Sequence, residues 1–401
     1  MRSYISFVQQ ITFILLLSLS SVTQGDPVVL DPNFYIEKFA DVNFPIALDI
    51  PPVNSPFVGF LYVSSADLRL SPGYGPPDPI LRVDLTTRQV TTFYNLPAES
   101  DPVWMVFGPG EPFTTDLYIS SNNRDGGQNG DYGGSIVFLE PIPDANGECF
   151  LTPPPPPIVL SEPDGIAFGP GGAFGTDLFV SNTGDPPYDI ALVSPAGARS
   201  TFVGFSGHTT IAFGPGGSFG SDLFVLDGQS GALSTVDSNG EFTTFVSIPS
   251  FAAPCRYAAI AFSPLGPFGE DMYVSARVST GVSLFRITPT GIVTEFAMGF
   301  IGASASGGAV PTFPCPDGLV FSNDGKSLFV SDMLGQAIYR IAQPRGDMDN
   351  DYDVDFVDFA LFAGHWLDTG CGPQNNWCGK ANVTGDGEVD LDDLRDLTIH
   401  K

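Results

Sequence analysis

The stretch Ile166-Ala-Phe-Gly-Pro-Gly-Gly-Ala-Phe-Gly-Thr-Asp-Leu-Phe-Val-Ser181 decides the fold. It reads as a short apolar strand, a tight turn, and a second strand rich in branched and aromatic residues. Proline fixes one φ in the turn and glycine supplies a positive one. The phrase recurs. Met105-Val-Phe-Gly-Pro-Gly leads to Asp116-Leu-Tyr-Ile-Ser120, and Ile211-Ala-Phe-Gly-Pro-Gly-Gly-Ser-Phe-Gly leads to Asp222-Leu-Phe-Val-Leu226. Ile260-Ala-Phe-Ser-Pro leads to Asp271-Met-Tyr-Val-Ser275, and Leu319-Val-Phe-Ser-Asn-Asp-Gly leads to Leu328-Phe-Val-Ser-Asp332. A degenerate first copy is Ile46-Ala-Leu-Asp-Ile-Pro51, leading to Leu61-Tyr-Val-Ser-Ser65. Copies about 45 to 60 residues apart are the period of a propeller or solenoid.

Each copy adds a third strand, such as Ser283-Leu-Phe-Arg-Ile287, and a fourth, such as Phe242-Thr-Thr-Phe-Val246. Four short strands per repeat predict a mainly β fold, a six-bladed β-propeller over residues 26–345. The sixth copy supplies only three strands before the chain leaves it at Pro344. Its missing strand should resemble Thr201-Phe-Val203, Thr244-Phe-Val246 and Thr294-Glu-Phe296. Phe34-Tyr-Ile-Glu-Lys-Phe39 fits, so an amino-terminal strand is expected to close the ring and leave no long sheet edge.

The repeats resemble NHL and SMP-30/gluconolactonase-like six-bladed propellers, most closely over Pro316–Asp332. The resemblance spans the body, and its motifs are structural. In such propellers the loops leading into the inner strands gather on one face. Here those loops carry Asp101, Asp164, His208, Arg256, Tyr257 and Asp317. Asp164 and Asp317 share a Pro-Asp-Gly phrase in the third and sixth copies, opposite one another in a six-membered ring. Two carboxylates facing across a channel could hold a divalent ion or polarise a substrate. The lactonase-like enzymes hold one metal with a Glu, an Asn and an Asp. Either Pro-Asp-Gly matches the Asp, no Glu of the first copy matches, and copies four and five have Thr209 and Ala258 at the corresponding places. Asp164, His208 and Asp317 are the catalytic candidates. The competing reading is that the two aspartates shape turns before inner strands. No nucleophile elbow, His-Glu-x-x-His or P-loop is present.

Residues 346–401 are built differently. Asp347, Asp349, Asp351, Asp353, Asp355 and Asp358 form one acidic frame, and Asn382, Thr384, Asp386, Glu388, Asp390 and Asp393 form a second. Oxygen-bearing side chains at positions 1, 3, 5, 9 and 12 of a twelve-residue loop can wrap one hard cation. Apolar Val354 and Val389 stand at position 8. Each loop runs into a helical periodicity: Phe356, Phe359, Ala360, Ala363, Trp366 and Leu367 in the first, Leu391, Leu394 and Leu397 in the second. The pair resembles a type I dockerin, a domain with two calcium loop-helix repeats that plugs into a cohesin partner. The resemblance implies two Ca2+ ions, with Asp353 and Glu388 contributing through their backbone carbonyls. Two departures stand out. Tyr352 occupies position 6, where a sharp turn prefers glycine. Phe356-Val357 and Leu391-Asp392 occupy positions 10 and 11, where dockerins usually show small hydroxyls.

Residues 1–25 read as a secretory signal peptide: Arg2, then a short apolar run over Ile11–Leu19, then small and polar residues. No later segment is long and apolar enough to span a membrane. The net charge is -29, from 16 basic and 45 acidic residues, which excludes a nucleic-acid binder. The five cysteines suit export. Cys371 and Cys378 are close enough in sequence for a local disulfide. Cys255 and Cys315 lie in neighbouring loops, where a bridge is a reasonable expectation, leaving Cys149. Two function classes follow. One is a secreted binding propeller, with a saccharide or small-molecule ligand, attached by its calcium tail to a cohesin-like partner or extracellular scaffold. The other is a secreted hydrolase of lactonase-like or polysaccharide-related type.

Overall fold

A computed structural model describes residues 27–65, 78–96, 100–123, 134–143, 149–152, 160, 163–183, 188–205, 207, 209–252, 258–278, 281–301, 318–343, 346, 348–349, 354–384 and 386–398. The protein is mainly β and propeller-like. Six antiparallel sheets follow one another along the chain. Their first strands are Pro45–Asp49, Ser100–Phe107, Pro163–Phe168, Thr209–Phe213, Ile260–Phe262 and Leu319–Phe321. Each touches the next in that order, and the last touches the first, so the order closes on itself.

The sheet of the third copy shows the common plan. Pro163–Phe168 pairs with Leu178–Asn182, that strand with Asp189–Val193, and that with Arg199–Gly204. The turn inside the first hairpin needs glycine at a defined point. A Cβ on Gly169 would lie 2.5 Å from the Gly175 carbonyl oxygen, and one on Gly214 2.4 Å from that of Gly220.

The sixth sheet is completed from the other end of the chain. Tyr35–Asp41 runs antiparallel to Ala337–Ala342, with Ile36 opposite Ile341 and Lys38 opposite Tyr339. The strand extends two residues beyond the expected Phe39. Phe34 stays outside the ladder and packs between the fifth and sixth sheets, its ring centroid 4.6 Å from that of Phe268. Val28–Val29 adds a fifth strand to the fifth sheet by pairing with Val293–Phe300. Two residues are too few to leave a periodic signal, so this strand has no signature in the sequence.

The core is divided among the spaces between neighbouring sheets. At each of five junctions a phenylalanine from the first turn enters: Phe57, Phe113, Phe174, Phe219 or Phe268. It meets an aromatic residue of its own second strand and one at the end of the next sheet's first strand. Phe219 thus meets Phe224 at 5.8 Å and Phe262 at 5.1 Å. Phe268 meets Tyr273 at 5.6 Å and Phe321 at 5.0 Å. Most of these contacts are edge-to-face, a geometry worth about 0.5–1.5 kcal/mol per pair beyond area burial.

Buried hydroxyls tie the junctions closer to the axis. Ser120 Oγ donates to the Asp164 carbonyl at 2.7 Å, Ser181 Oγ to that of Thr209 at 2.8 Å, and Ser331 Oγ to that of Ile46 at 2.6 Å. In the fourth sheet Leu226 replaces the serine, and Thr210 Oγ1 bonds the Ala258 carbonyl instead. Ser331 also accepts from the Gly318 amide at 2.8 Å, so one side chain fixes its own first strand and the next sheet's. The Ser331–Ile46 bond lies at the closing seam.

The tail forms a small separate core of Met348, Phe362, Cys371, Cys378, Ala381, Val389 and Leu397. Its main helices are Phe356–Gly364 and Leu391–Thr398. The apolar residues at helical spacing in the first helix face out. Phe356 is 87% exposed and Phe359 45%, while Phe362 is buried. The inward face is set by Asp358 and Phe362, four residues apart, because the loop requires the Asp358 carboxylate inside. Among the described residues no helix is long and apolar enough to cross a membrane.

Three substitutions test this division of labour. Ser331→Ala leaves two buried backbone groups without their side-chain partner and should cost about 1–3 kcal/mol. Phe268→Ala should cost about 3–5 kcal/mol. Exposed Ser200→Ala should be close to neutral. Denaturant unfolding of the three variants checks the ranking, and equal effects for Ser331 and Ser200 would contradict it.

Candidate functional site

The calcium reading rests on two loops with one hydrogen-bond plan. In the first, Asp358 at position 12 is buried at the start of its helix. Its Oδ1 accepts from the Met348 amide at 2.5 Å, and its Oδ2 from the Asp355 amide at 2.8 Å. In the second, Asp393 is likewise buried. Its Oδ1 accepts from the Thr384 amide at 2.8 Å and its Oδ2 from the Asp390 amide at 2.9 Å. Each carboxylate therefore draws both ends of its loop toward one point. A carboxylate has about four acceptor sites, so these bonds leave capacity for a cation.

Other details agree with a cation loop. Gly387, at position 6, has φ +102°, the conformation a side chain disfavours. Asp355 caps the first helix by accepting from the Val357 amide at 2.6 Å. Asp386 accepts from the Glu388 amide at 3.0 Å, and Asn382 Oδ1 accepts from Thr384 Oγ1 at 3.2 Å. The donor set contains only hard oxygens, the chemistry Ca2+ takes. Asp347, Asp351, Tyr352 and Asp353 lie outside the described residues. Among the described residues no group of three or more His, Cys, Asp or Glu side chains is gathered as around a metal ion.

The segment between the loops is held locally. Cys371 and Cys378 form a disulfide with Cα atoms 5.0 Å apart. Asn376, Trp377 and Cys378 all have positive φ, and Asn375 Oδ1 accepts from the Gly372 and Cys378 amides at 2.9 and 3.2 Å. The amides of Leu367 and Val389 bond the carbonyls of Val389 and Asp368 at 2.9 Å, joining the end of the first repeat to the second loop.

On the body, Asp164 is buried in the first strand of the third sheet. Its carboxylate accepts from Thr183 Oγ1 at 2.8 Å, and its carbonyl receives Ser120. The side chain thus serves its own sheet, in line with the turn-shaping alternative. His208, Asp317, Arg256, Tyr257 and the side chain of Asp101 lie outside the described residues. So do Cys255, Cys315 and the side chain of Cys149.

Two carboxyls that motif reading passed over carry large pKa shifts. Burial pushes Asp49 up to about 7, against the Phe107 and Ile50 amides that pull it down. Burial likewise pushes Asp332 up to about 6, against the Ile301 and Gly335 amides. Asp49 takes the place held by Gly169 and Gly214 in other copies and links the first two sheets through Phe107 N at 2.7 Å. The repeat alignment could have flagged it as the one acidic residue at that position.

No protein family and no curated protein matches the sequence. Solved structures do. One is a gluconolactonase from Xanthomonas campestris, at 11% identity and TM-score 0.52, covering 81% of this chain and 99% of that one. Another is the soluble aldose sugar dehydrogenase from Escherichia coli, at 12% and 0.50, covering 77% and 99%. A third is a protein of unknown function from Bacteroides thetaiotaomicron, at 8% and 0.51, covering 79% and 76%. Likeness at this identity establishes a shared propeller fold.

The shifted carboxyls give a pH prediction. Both pKa values lie above the ordinary aspartate value. The stability linked to them is full below about pH 4 and is lost as pH rises through about 6 to 7. Melting temperature should fall between about pH 4 and 7 and level off above that. Asp49→Ser, a residue found at the equivalent positions 263 and 322, should flatten that fall. An unchanged slope in the variant would exclude Asp49 as a contributor.

Proposed function

We propose that this is a secreted calcium-binding protein: a six-bladed propeller of binding type, attached through a dockerin-like tail to a cohesin-like partner or extracellular scaffold. The observation that carries the reading is the repeated placement of Asp358 and Asp393, each buried and each gathering its own loop. Asp347, Asp349, Asp351, Asp355 and Asp358 would hold one Ca2+, with the Asp353 carbonyl. Asn382, Thr384, Asp386, Asp390 and Asp393 would hold the other, with the Glu388 carbonyl. Export rests on residues 1–25 and suits the Cys371–Cys378 disulfide.

The contact surface supports an unusual partner. Phe356 and Leu391 share position 10 in the two repeats and are 87% and 68% exposed, with Val357 at 50%. Two outward apolar residues at equivalent places suit an apolar docking surface better than the small hydroxyls familiar in dockerins. The propeller's sugar-related structural neighbours make a saccharide or small molecule a reasonable ligand for its open face. The hydrolase alternative draws on fold likeness alone, which does not fix activity.

Calorimetric titration of the full-length protein with Ca2+ should show two binding events. Asp358→Ala and Asp393→Ala should each remove one, leaving the propeller's unfolding transition in place. Absence of calcium binding by the intact protein would overturn the reading.

A further inference from the structure

The second acidic loop is tied by its backbone to the excursion that the Cys371–Cys378 disulfide closes. The Cys371 amide donates to the Gly387 carbonyl at 2.9 Å and the Leu367 amide to that of Val389 at 2.9 Å, with Thr369 bridged to Glu388 between them. Carbonyls alternate in direction along such a pairing, so the Glu388 carbonyl, at position 7, is turned away from the paired segment. The start of the loop is held from the far end of the same excursion. The Asn382 amide, at position 1, donates to the Trp377 carbonyl at 3.1 Å, and the Ala381 amide to that of Cys378 at 3.1 Å. Among the described residues no backbone hydrogen bond joins 371–378 to the first loop. The backbone that presents the Trp377 carbonyl is strained. Asn376, Trp377, Cys378, Gly379 and Lys380 have φ from +52° to +75°. Four of these five carry a side chain, for which that region is disfavoured and persists only where the surroundings enforce it. Here the disulfide, buried in the tail core, closes the segment, and the Asn375 side chain bonds the Gly372 and Cys378 amides inside it.

We propose that the Cys371–Cys378 disulfide is a positioning group for the second calcium site, which makes that site, and not the first, sensitive to thiol reductants. The inference rests on the calcium reading above. Closed, the disulfide keeps the left-handed run in place and so fixes Asn382 and Glu388 through their backbones. Opened, it lets the run relax, and positions 1 and 7 lose their anchors while the first loop keeps its own. A dithiol opens it in two exchange steps. One thiolate attacks a sulfur of the pair, the second thiol displaces the mixed disulfide, and the products are two cysteine thiols and one cyclic disulfide. Ca2+ at the second site and the closed disulfide then favour each other by the same factor, because the coupling is reciprocal.

The test uses the full-length protein and Ca2+ calorimetry in two backgrounds: Asp358→Ala, which keeps the second site, and Asp393→Ala, which keeps the first. Adding Cys371→Ser with Cys378→Ser should weaken the second site at least about tenfold and change the first by less than about twofold. A second measurement leaves the cysteines in place and decides the matter if the serine pair does not fold. In a dithiothreitol redox buffer, alkylation of Cys371 and Cys378 is read by peptide mass spectrometry with and without Ca2+. Ca2+ should lower the ratio of reduced to oxidised pair by at least about tenfold in Asp358→Ala and leave it unchanged in Asp393→Ala. An unchanged second site in the folded serine pair, equal weakening of both sites, or a Ca2+ effect on the disulfide that persists in Asp393→Ala would overturn the proposal while leaving the calcium reading intact. No Ca2+ binding by the intact, oxidised protein would overturn both.

Discussion

Packing between neighbouring sheets is the constraint on which the rest of this protein depends. A single sheet of four short strands cannot bury its own faces. Each one here covers an aromatic cluster only with the help of the next, as Phe219, Phe224 and Phe262 do across the fourth and fifth sheets. Such a chain of dependent units is stable only when the last sheet finds the first. That requirement explains why Tyr35–Asp41 travels to the far end of the sequence to pair with Ala337–Ala342, and why Ser331 bonds across the seam to Ile46. The buried hydroxyls then hold each first strand against its neighbour, where an unpaired backbone group would cost about 1–3 kcal/mol.

Closure by the amino terminus leaves the carboxyl terminus free for another use. Among the described residues, none after Ala337–Ala342 adds a strand to the ring. The tail that follows buries Met348, Phe362, Val389 and Leu397 among themselves. Its apolar surplus, Phe356, Val357 and Leu391, is turned outward. A domain with its own core, an outward apolar face and a strongly acidic pair of loops is suited to attachment.

Much of this was legible in the sequence because it repeats. The Ile-Ala-Phe…Leu-Phe-Val-Ser phrase gave the hairpins, and its incomplete last copy pointed to the closing strand. Cys371 and Cys378 pair as their spacing suggested. What escaped was set by three-dimensional packing. Val28–Val29 is too short to carry a pattern and is held by its partner strand. The apolar spacing of the first tail helix was read through Phe356, Phe359 and Trp366, which are exposed, whereas Phe362, outside that stripe, is buried beside Asp358. Asp49 and Asp332 belong to no motif, and their shifts arise from burial beside backbone donors.

The central claim is a ring closed by its amino-terminal strand and energetically separate from the tail, for which calcium ordering is proposed. Hydrogen exchange of the full-length protein, with and without Ca2+, tests it most directly. Paired amides of Tyr35–Asp41 and Ala337–Ala342 should be protected to the same degree as those of Met272–Val278 in both conditions, and Ca2+ should slow exchange only within 346–401. Fast exchange of Tyr35–Asp41, or a calcium response spread through the sheets, would contradict the account.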